Sequence, residues 1–240
     1  MKISLCTTCC NRLYQFEKTI DDNYEIVKEN PSAEWIIVNY NSKDNLHEYM
    51  MSRLPNISCR VIYVVEKSGR TWHASCAKNV AHSFATGDIL LNLDCDNFLG
   101  NSLETIQKKF SEGIEVMQLW TGIPYDGTYG RIAITKKIFD KINGYDESLY
   151  PMGGQDSDLM HRAIGIGAKS YIHVSSEYKA IKNSKEDSLK NAIPYGMDWH
   201  KMAMRNKKTI NANLKAQKFV ANMPNGRAKM EVEIFRGVVA

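Results

Sequence analysis

Apolar residues along this chain follow two rhythms. Short apolar-rich runs at residues 2–8, 35–38, 60–65 and 89–93 have the length of strands. Between them, apolar positions recur every three or four residues. Leu13, Phe16, Ile20, Tyr24 and Val27 mark one face of an amphipathic helix, with Asn11 placed to cap it and Pro31 beyond its end. A short helix over 46–54 and a longer one over 74–85, closed by Gly87, separate the later strands. Leu103, Ile106 and Phe110 place a helix after Asn101, followed by strands over 115–120 and 131–135 around a turn-rich loop at 124–130. A helix over 159–166, a strand over 170–174 and a helix over 198–218 complete the pattern. Strand and helix alternate, which predicts an α/β fold with a mainly parallel sheet and right-handed crossovers.

The 240 residues suit one large domain or two small ones, and no apolar stretch reaches the length of a membrane span. The first residues, MKISLCTTCCNR, lack the basic and then apolar pattern of a signal peptide. Six cysteines without such a leader are expected to be free thiols in a reducing, cytoplasmic setting. Cys6, Cys9 and Cys10 resemble half a zinc site, but Cys59, Cys76 and Cys95 provide no second C-x-x-C. Charge is uneven. From Lys179 onward there are 13 Lys/Arg against 5 Asp/Glu, and the remainder has 18 against 22. A basic tail on an acidic body points to an anionic ligand or surface: a phosphate group beside Lys179, Lys182 or Lys185, a peripheral membrane contact, or a nucleic acid.

Chemistry concentrates in two places. The run at 89–93 ends in Asp94-Cys95-Asp96. In an extended chain residues two apart point the same way, so both carboxylates can converge at the strand's carboxyl end, where open α/β sheets bind ligands. Hard oxygen donors of this kind suit Mn²⁺ or Mg²⁺ shared with a substrate phosphate. The second place is Gly144-Tyr-Asp-Glu147 followed by Gly153-Gly-Gln-Asp-Ser-Asp158. Two glycines permit a tight turn close to a ligand, and Asp156 and Asp158 fall at a helix start, where Asp158 reads as a cap. The loop at 67–73 carries Gly69 and Arg70, able to approach a phosphate.

Four blocks in order give the chain its resemblance to the family two glycosyltransferases. They are ISLCTTCCNR, IIVNYNSKD, CAKNVAHSFATGDILLNLDCDN and GYDESLYPMGGQDSDLMHR. The resemblance implies the GT-A fold, a Rossmann-like mixed sheet flanked by helices. The catalytic domain would be residues 1–178, with a nucleotide-binding half at 1–98, an acceptor half at 99–178 and a partly helical extension packed on it at 179–240. It implies roles as well. Asp96, assisted by Asp94, would hold a divalent ion on the donor diphosphate. Thr8, Asn39 and Asn41 would line base and ribose. Lys78, Cys95, Gly154 and Gln155 would adjoin the nucleotide sugar, and Asp156 falls on the catalytic base. His173 is the candidate third metal ligand. The expected activity is transfer of one sugar, with inversion, from a nucleotide sugar, UDP favoured, to a hydroxyl of a glycan. Acceptor contacts are expected from the loops at 120–129 and 150–154, with Trp72, Trp120, Tyr125 and Trp199 available for stacking.

The chain departs from the family pattern at two positions. Asn39 stands where Asp is usual, and its amide oxygen can still accept from a uracil N–H. Gln155 stands where Glu usually precedes the base. The Q-x-x-R-W motif of processive members is missing, so single addition is expected. Two other readings stay open at the sequence level. One is a nucleotidyltransferase, although TTCCNR is not the glycine-rich loop that such enzymes carry after the first strand. The other is a degenerate sugar-nucleotide or glycan binder.

Overall fold

The computed structural model describes residues 1–184 and 189–237. An eight-stranded mixed sheet forms its centre, flanked by helices on both faces. In chain order the elements begin β1 (Ile3–Cys9), α1 (Leu13–Lys28), β2 (Ala33–Asn39), α2 (Leu46–Arg53), β3 (Val61–Glu66), α3 (Ala74–Ser83), β4 (Ile89–Asn92) and β5 (Asn97–Phe98). They continue with α4 (Ser102–Ser111), β6 (Val116–Trp120), β7 (Ile132–Thr135), α5 (Lys136–Lys141), α6 (Gln155–Gly165), β8 (Ser170–Val174) and β9 (Lys179–Ala180). After a 3₁₀ turn at Lys190–Tyr195 come α7 (Trp199–Lys215) and β10 (Val232–Arg236). The sheet order is β10-β3-β2-β1-β4-β7-β6-β8, and only β7 and β10 run against the rest.

The period-2 alternation of buried strands sends side chains into two cores. Leu5, Trp35 and Ile37 meet α1, α2 and α4 on one face, while Cys6, Ile36 and Val38 meet α3, α5 and α6 on the other. Trp35 is fully buried, and its indole N–H donates to Thr7 Oγ1 at 2.9 Å across the β1–β2 register. Its polar atom is therefore satisfied where water cannot reach. Glu34 at the sheet's amino end is likewise fully buried, and accepts from Ser4 Oγ, Thr86 N and Lys2 Nζ at 2.6, 2.6 and 2.8 Å.

Several expectations change. Asn11 does not cap α1: it has φ 53°, and its side chain bonds Lys43 N and Asn191. The orphan N–H of Leu13 is taken instead by Asp44 Oδ2 at 2.9 Å, from the loop after β2. Gly87 does not close α3, which ends at Ser83. A Cβ at Gly87 would stand 2.8 Å from Lys2 O and 2.7 Å from Ser4 Oγ, so this glycine is required by the close pass against β1. The C-terminal stretch is structured further than its polarity suggests. β10 pairs antiparallel with β3 and covers that sheet edge, and α7 packs on α6. No helix among the described residues is long and apolar enough to cross a membrane.

Candidate active site

β1 and β4 are parallel neighbours in register from Ile3↔Ile89 to Cys6↔Asn92, so their carboxyl ends open side by side. A cleft of about 530 Å³ lies there. Thr8, Lys78, Asp94, Cys95, Asp96, Gly154, Gln155 and Asp156 all line it. The acidic motif does not stay extended, contrary to the alternation argument. The N–H of Asn97 donates to Asp94 O at 2.9 Å, closing a turn that brings both carboxylates to the cleft. Asp94 accepts from Asn92 Nδ2 at 3.0 Å and Asp96 from Asn97 Nδ2 at 2.8 Å. Cys95 touches the cleft floor but is only 6% exposed and belongs to the core packed against α1. Burial, then the neighbouring Asp94 charge, pushes the Asp96 carboxyl up to about 6, although Arg12, 3.8 Å away, pulls the other way.

Lys78 projects from α3 into the same floor, nearly buried. Its ammonium donates to Asp156 Oδ1 at 2.7 Å and lies 3.6 Å from Asp94 Oδ1. Burial works against this cation, but the Asp156 and Asp94 carboxylates outweigh it and hold its pKa above the ordinary lysine range. Asp156 is itself raised, by burial foremost and by Asp94 in addition, with Lys78 opposing. Asp94 and Asp156, 62 positions apart in sequence, therefore share one cation.

Two supports hold this cluster. The first is Gly130, where the chain passes between the acids. A Cβ there would lie 2.6 Å from Asp94 Oδ2 and 3.2 Å from Asp156 Oδ2. The strand is fixed by Arg131, fully buried, which donates to Asn97 Oδ1 at 3.0 Å and to Phe98 O at 2.9 Å. Gly130→Ala is accordingly expected to displace both carboxylates and cut donor affinity at least about tenfold, a change of roughly 1.4 kcal/mol, with the fold retained. Titration calorimetry with a nucleotide sugar, alongside circular dichroism, checks it.

The second support comes from the C-terminal stretch. Gly153 and Gly154 both take left-handed backbone, φ 86° and 95°, just before α6. Asn206 of α7, 1% exposed, staples this turn. It donates to Tyr150 O, Met152 O and Gly153 O at 3.0, 3.1 and 2.6 Å and accepts from Tyr150 N at 2.7 Å. Gln155, 4% exposed, turns its amide back to Tyr150 O at 2.9 Å, so this replacement for the family's Glu also secures the turn. Asp158 pairs with Arg162 at 2.7 Å, both about 1% exposed, and is a structural acid away from the cleft.

Other predicted site residues are placed elsewhere. Asn39 is 3% exposed and absent from the cleft lining. Its amide donates to Tyr63 Oη and accepts from Ser42 N, both at 2.9 Å, so it holds the loop after β2. Asn41 donates to Arg70 O at 3.2 Å, in the loop after β3, and accepts from Lys43 Nζ at 2.6 Å within its own loop. His173 is not brought to the acids: its Nδ1 lies 2.7 Å from Tyr178 Oη, and among the described residues no three or more His, Cys, Asp or Glu come together in an arrangement that would hold a metal ion by themselves. Lys179 and Lys182 do not line the cleft, and Lys185 lies outside the described residues. The tail contributes Asn183, Asn191 and Trp199 to the wall instead. Asn191 donates to Cys10 O at 2.7 Å. Sequence reasoning gave no role to these asparagines, to Arg12 or to Gly130. Of these only Arg12 had a signal, the Asn-Arg step after β1.

Solved structures share the fold at low identity. The mannosyltransferase PcManGT from Pyrobaculum calidifontis, in complex with GDP-Man and Mn²⁺, is 16% identical with a TM-score of 0.63, over 93% of this chain and 76% of that one. Residues 1–349 of TarS from S. aureus, in complex with UDP, are 16% identical with a TM-score of 0.59 over 79% of this chain. The present chain spans 63% of that TarS fragment. The catalytic domain of Drosophila beta1,4galactosyltransferase 7, in complex with xylobiose, is 13% identical with a TM-score of 0.53, over 76% of this chain and 71% of that one. The sequence model of Glycosyl transferase family 2 matches residues 4–164, from β1 to the end of α6, and thus takes in every element that builds the acidic floor. With the GT-A fold around that floor, the chain belongs to glycosyl transferase family 2.

Proposed function

We propose that the chain is a metal-dependent glycosyltransferase that moves one sugar from a nucleotide sugar to a hydroxyl acceptor, with Asp156 as general base and inversion at the anomeric carbon. The observation that carries this is the meeting of Asp94, Asp96 and Asp156 with Lys78 and Arg12 in one cleft at the strand ends. Nucleotide-sugar donors are supported by the UDP and GDP-Man complexes of the structural neighbours, and a UDP-sugar is favoured through TarS, also solved with UDP-GlcNAc.

The residues present fit a divalent cation. Two hard carboxylates are crowded together, and burial and mutual repulsion leave Asp96 short of compensating charge, with its carboxyl raised to about 6. Asp96 and Asp94 would hold Mn²⁺ or Mg²⁺, leaving the other ligand positions to donor and water oxygens. When bound, the ion would supply Lewis-acid neutralisation of the departing diphosphate. Arg12, on the same floor, adds positive charge for the same group. Asp156, held by Lys78, takes the acceptor proton as the hydroxyl oxygen attacks. A single displacement with one base inverts configuration. The check needs no acceptor: proton NMR of the sugar released by slow donor hydrolysis is expected to show the inverted anomer first, before mutarotation. Initial release of the retained anomer would overturn the assignment of Asp156.

A further inference from the structure

The central sheet has two edges, and they are built differently. β10 carries Glu233 and Arg236, and Lys67 Nζ lies 2.7 Å from Glu233 Oε2. Charges of this kind keep an edge strand from pairing with another chain. β8, Ser170-Tyr-Ile-His-Val174, holds no Lys, Arg, Asp or Glu. It is the outermost strand on its side, and among the described residues no strand pairs with its outer edge. Ile172 and Val174 are each 56% exposed, with Tyr171 exposed between Ser170 and Ile172. Ile123, 62% exposed, extends the patch from the loop after β6, where a Cβ on the preceding Gly122 would stand 3.0 Å from Val174 Cγ1. A contiguous exposed apolar patch of this kind marks an interaction surface.

We infer that this edge is a dimer interface, in which β8 pairs antiparallel with β8 of a second copy of the chain about a two-fold axis at Ile172. The pairing does not depend on what the cleft binds. Three features carry it.

First, the backbone is presented for it. Lys169 O accepts from Val116 N at 3.1 Å, and Ser175 N donates to Trp120 O at 3.1 Å. Residues 169, 171, 173 and 175 therefore turn their backbone groups to β6, and the alternation of a strand turns those of 170, 172 and 174 outward. Second, the strand complements its own reverse. A two-fold axis at Ile172 sets Ser170 opposite Val174, Ile172 opposite itself and Tyr171 opposite His173. The outward residues then meet as hydrogen-bonded pairs, so each outward N–H faces a C=O. The aliphatic side chain at 172 meets its like, and the two aromatic rings meet at the non-hydrogen-bonded sites, where side chains approach most closely. Third, charge agrees with the same register. Lys169 lies at the start of the strand and Glu177 beyond its end, both exposed. Reversal sets Lys169 opposite Ser175, with Glu177 as its diagonal neighbour. A parallel pairing would put like charges together, and a head-to-tail contact would meet the charges of β10. The two-fold contact closes on itself, so assembly stops at two. β8 stands beyond β7 and β6 from the cleft and contributes no residue to its lining, so both clefts stay open.

The test is sedimentation velocity of the full chain from about 1 to 100 μM, where a monomer–dimer equilibrium is expected for a contact of this small size. Ile172→Lys and Ile172→Glu each set two like charges face to face on the axis. Both are expected to weaken the dimer at least about tenfold, with the circular dichroism of the parent retained because the side chain is exposed. An equal mixture of the two variants is expected to dimerise again, since the axis then pairs a cation with an anion. A patch that associates through apolar contact alone would not show that rescue. A monomer across the whole range overturns the inference, as does a dimer indifferent to both substitutions. Open polymers would place β8 on β10 and overturn the two-fold contact. Loss of the dimer in both variants without recovery in the mixture overturns the register at Ile172.

Discussion

Asp156→Asn is expected to lower kcat by about 10²- to 10⁴-fold, the range for loss of a general base, with donor affinity little changed. Asn keeps the shape and can still accept from Lys78, but it cannot carry the acceptor's proton away. Removing one partner of a buried pair usually costs several kcal/mol. Here Lys78 retains Asp94 at 3.6 Å, and the Asp156 carboxylate, raised by burial, was itself expensive to ionise, so the fold should survive. Steady-state kinetics therefore separates a catalytic role, seen in kcat, from a structural one, seen in melting temperature. The pH profile gives a second reading. The base works only when ionised, so kcat/KM of the parent falls as pH drops through the raised Asp156 pKa. That limb should be missing from Asp156→Asn. It should move to higher pH in Lys78→Met, because Lys78 is the group that holds the carboxylate down. An unchanged profile in both variants would remove Asp156 from the proton path.

The acidic strand end and the glycine turn before Asp156 were legible in sequence because each is a local pattern: an apolar run that stops at D-x-D, and two glycines before an acid. The parallel sheet was legible for the same reason, since strands buried on both faces are written as apolar-rich runs. What local patterns did not show was the set of non-local partners. Asn39 and Asn41 sit at the right strand end, but their amides are spent on Tyr63, Ser42, Arg70 and Lys43, partners no motif names. His173 ends the right sort of strand, yet β8 is the sheet's outer strand and the histidine meets Tyr178. Asn206 was invisible because a buried asparagine 53 positions from Gly153 has no sequence signature. α5 has six residues, too few to show a period, and β10 is half-buried at best along its length, so its charges read as solvated tail.

Asp96→Asn is expected to act in opposite directions on stability and on binding, which makes it the most discriminating substitution at the acidic motif. In the metal-free protein the folded-state pKa of Asp96 is raised, from an ordinary value of 3.8 to about 6. For a carboxylate raised on folding, the native state binds the proton more tightly than the unfolded chain. Stability therefore falls as pH rises from about 4 to about 6 and stays reduced above that. The side chain is only 14% exposed, so solvent screens little of this cost, which amounts to about 3 kcal/mol at pH 8. Removing the charge should recover most of it and raise the melting temperature of the metal-free protein by about 5 °C at pH 8, with the gain vanishing near pH 4. The same substitution withdraws a hard anionic ligand. The parent should be stabilised by a nucleotide sugar only with Mn²⁺ or Mg²⁺ present, and Asp96→Asn should lose that shift at every pH. Differential scanning fluorimetry across pH, with metal or chelator and with or without donor, reads both effects. A variant less stable than the parent without metal would mean that Arg12 and Asn97 already satisfy the carboxylate, so that nothing in the site calls for a cation. A metal-dependent donor shift that persists in Asp96→Asn would place the ion on Asp94 without it.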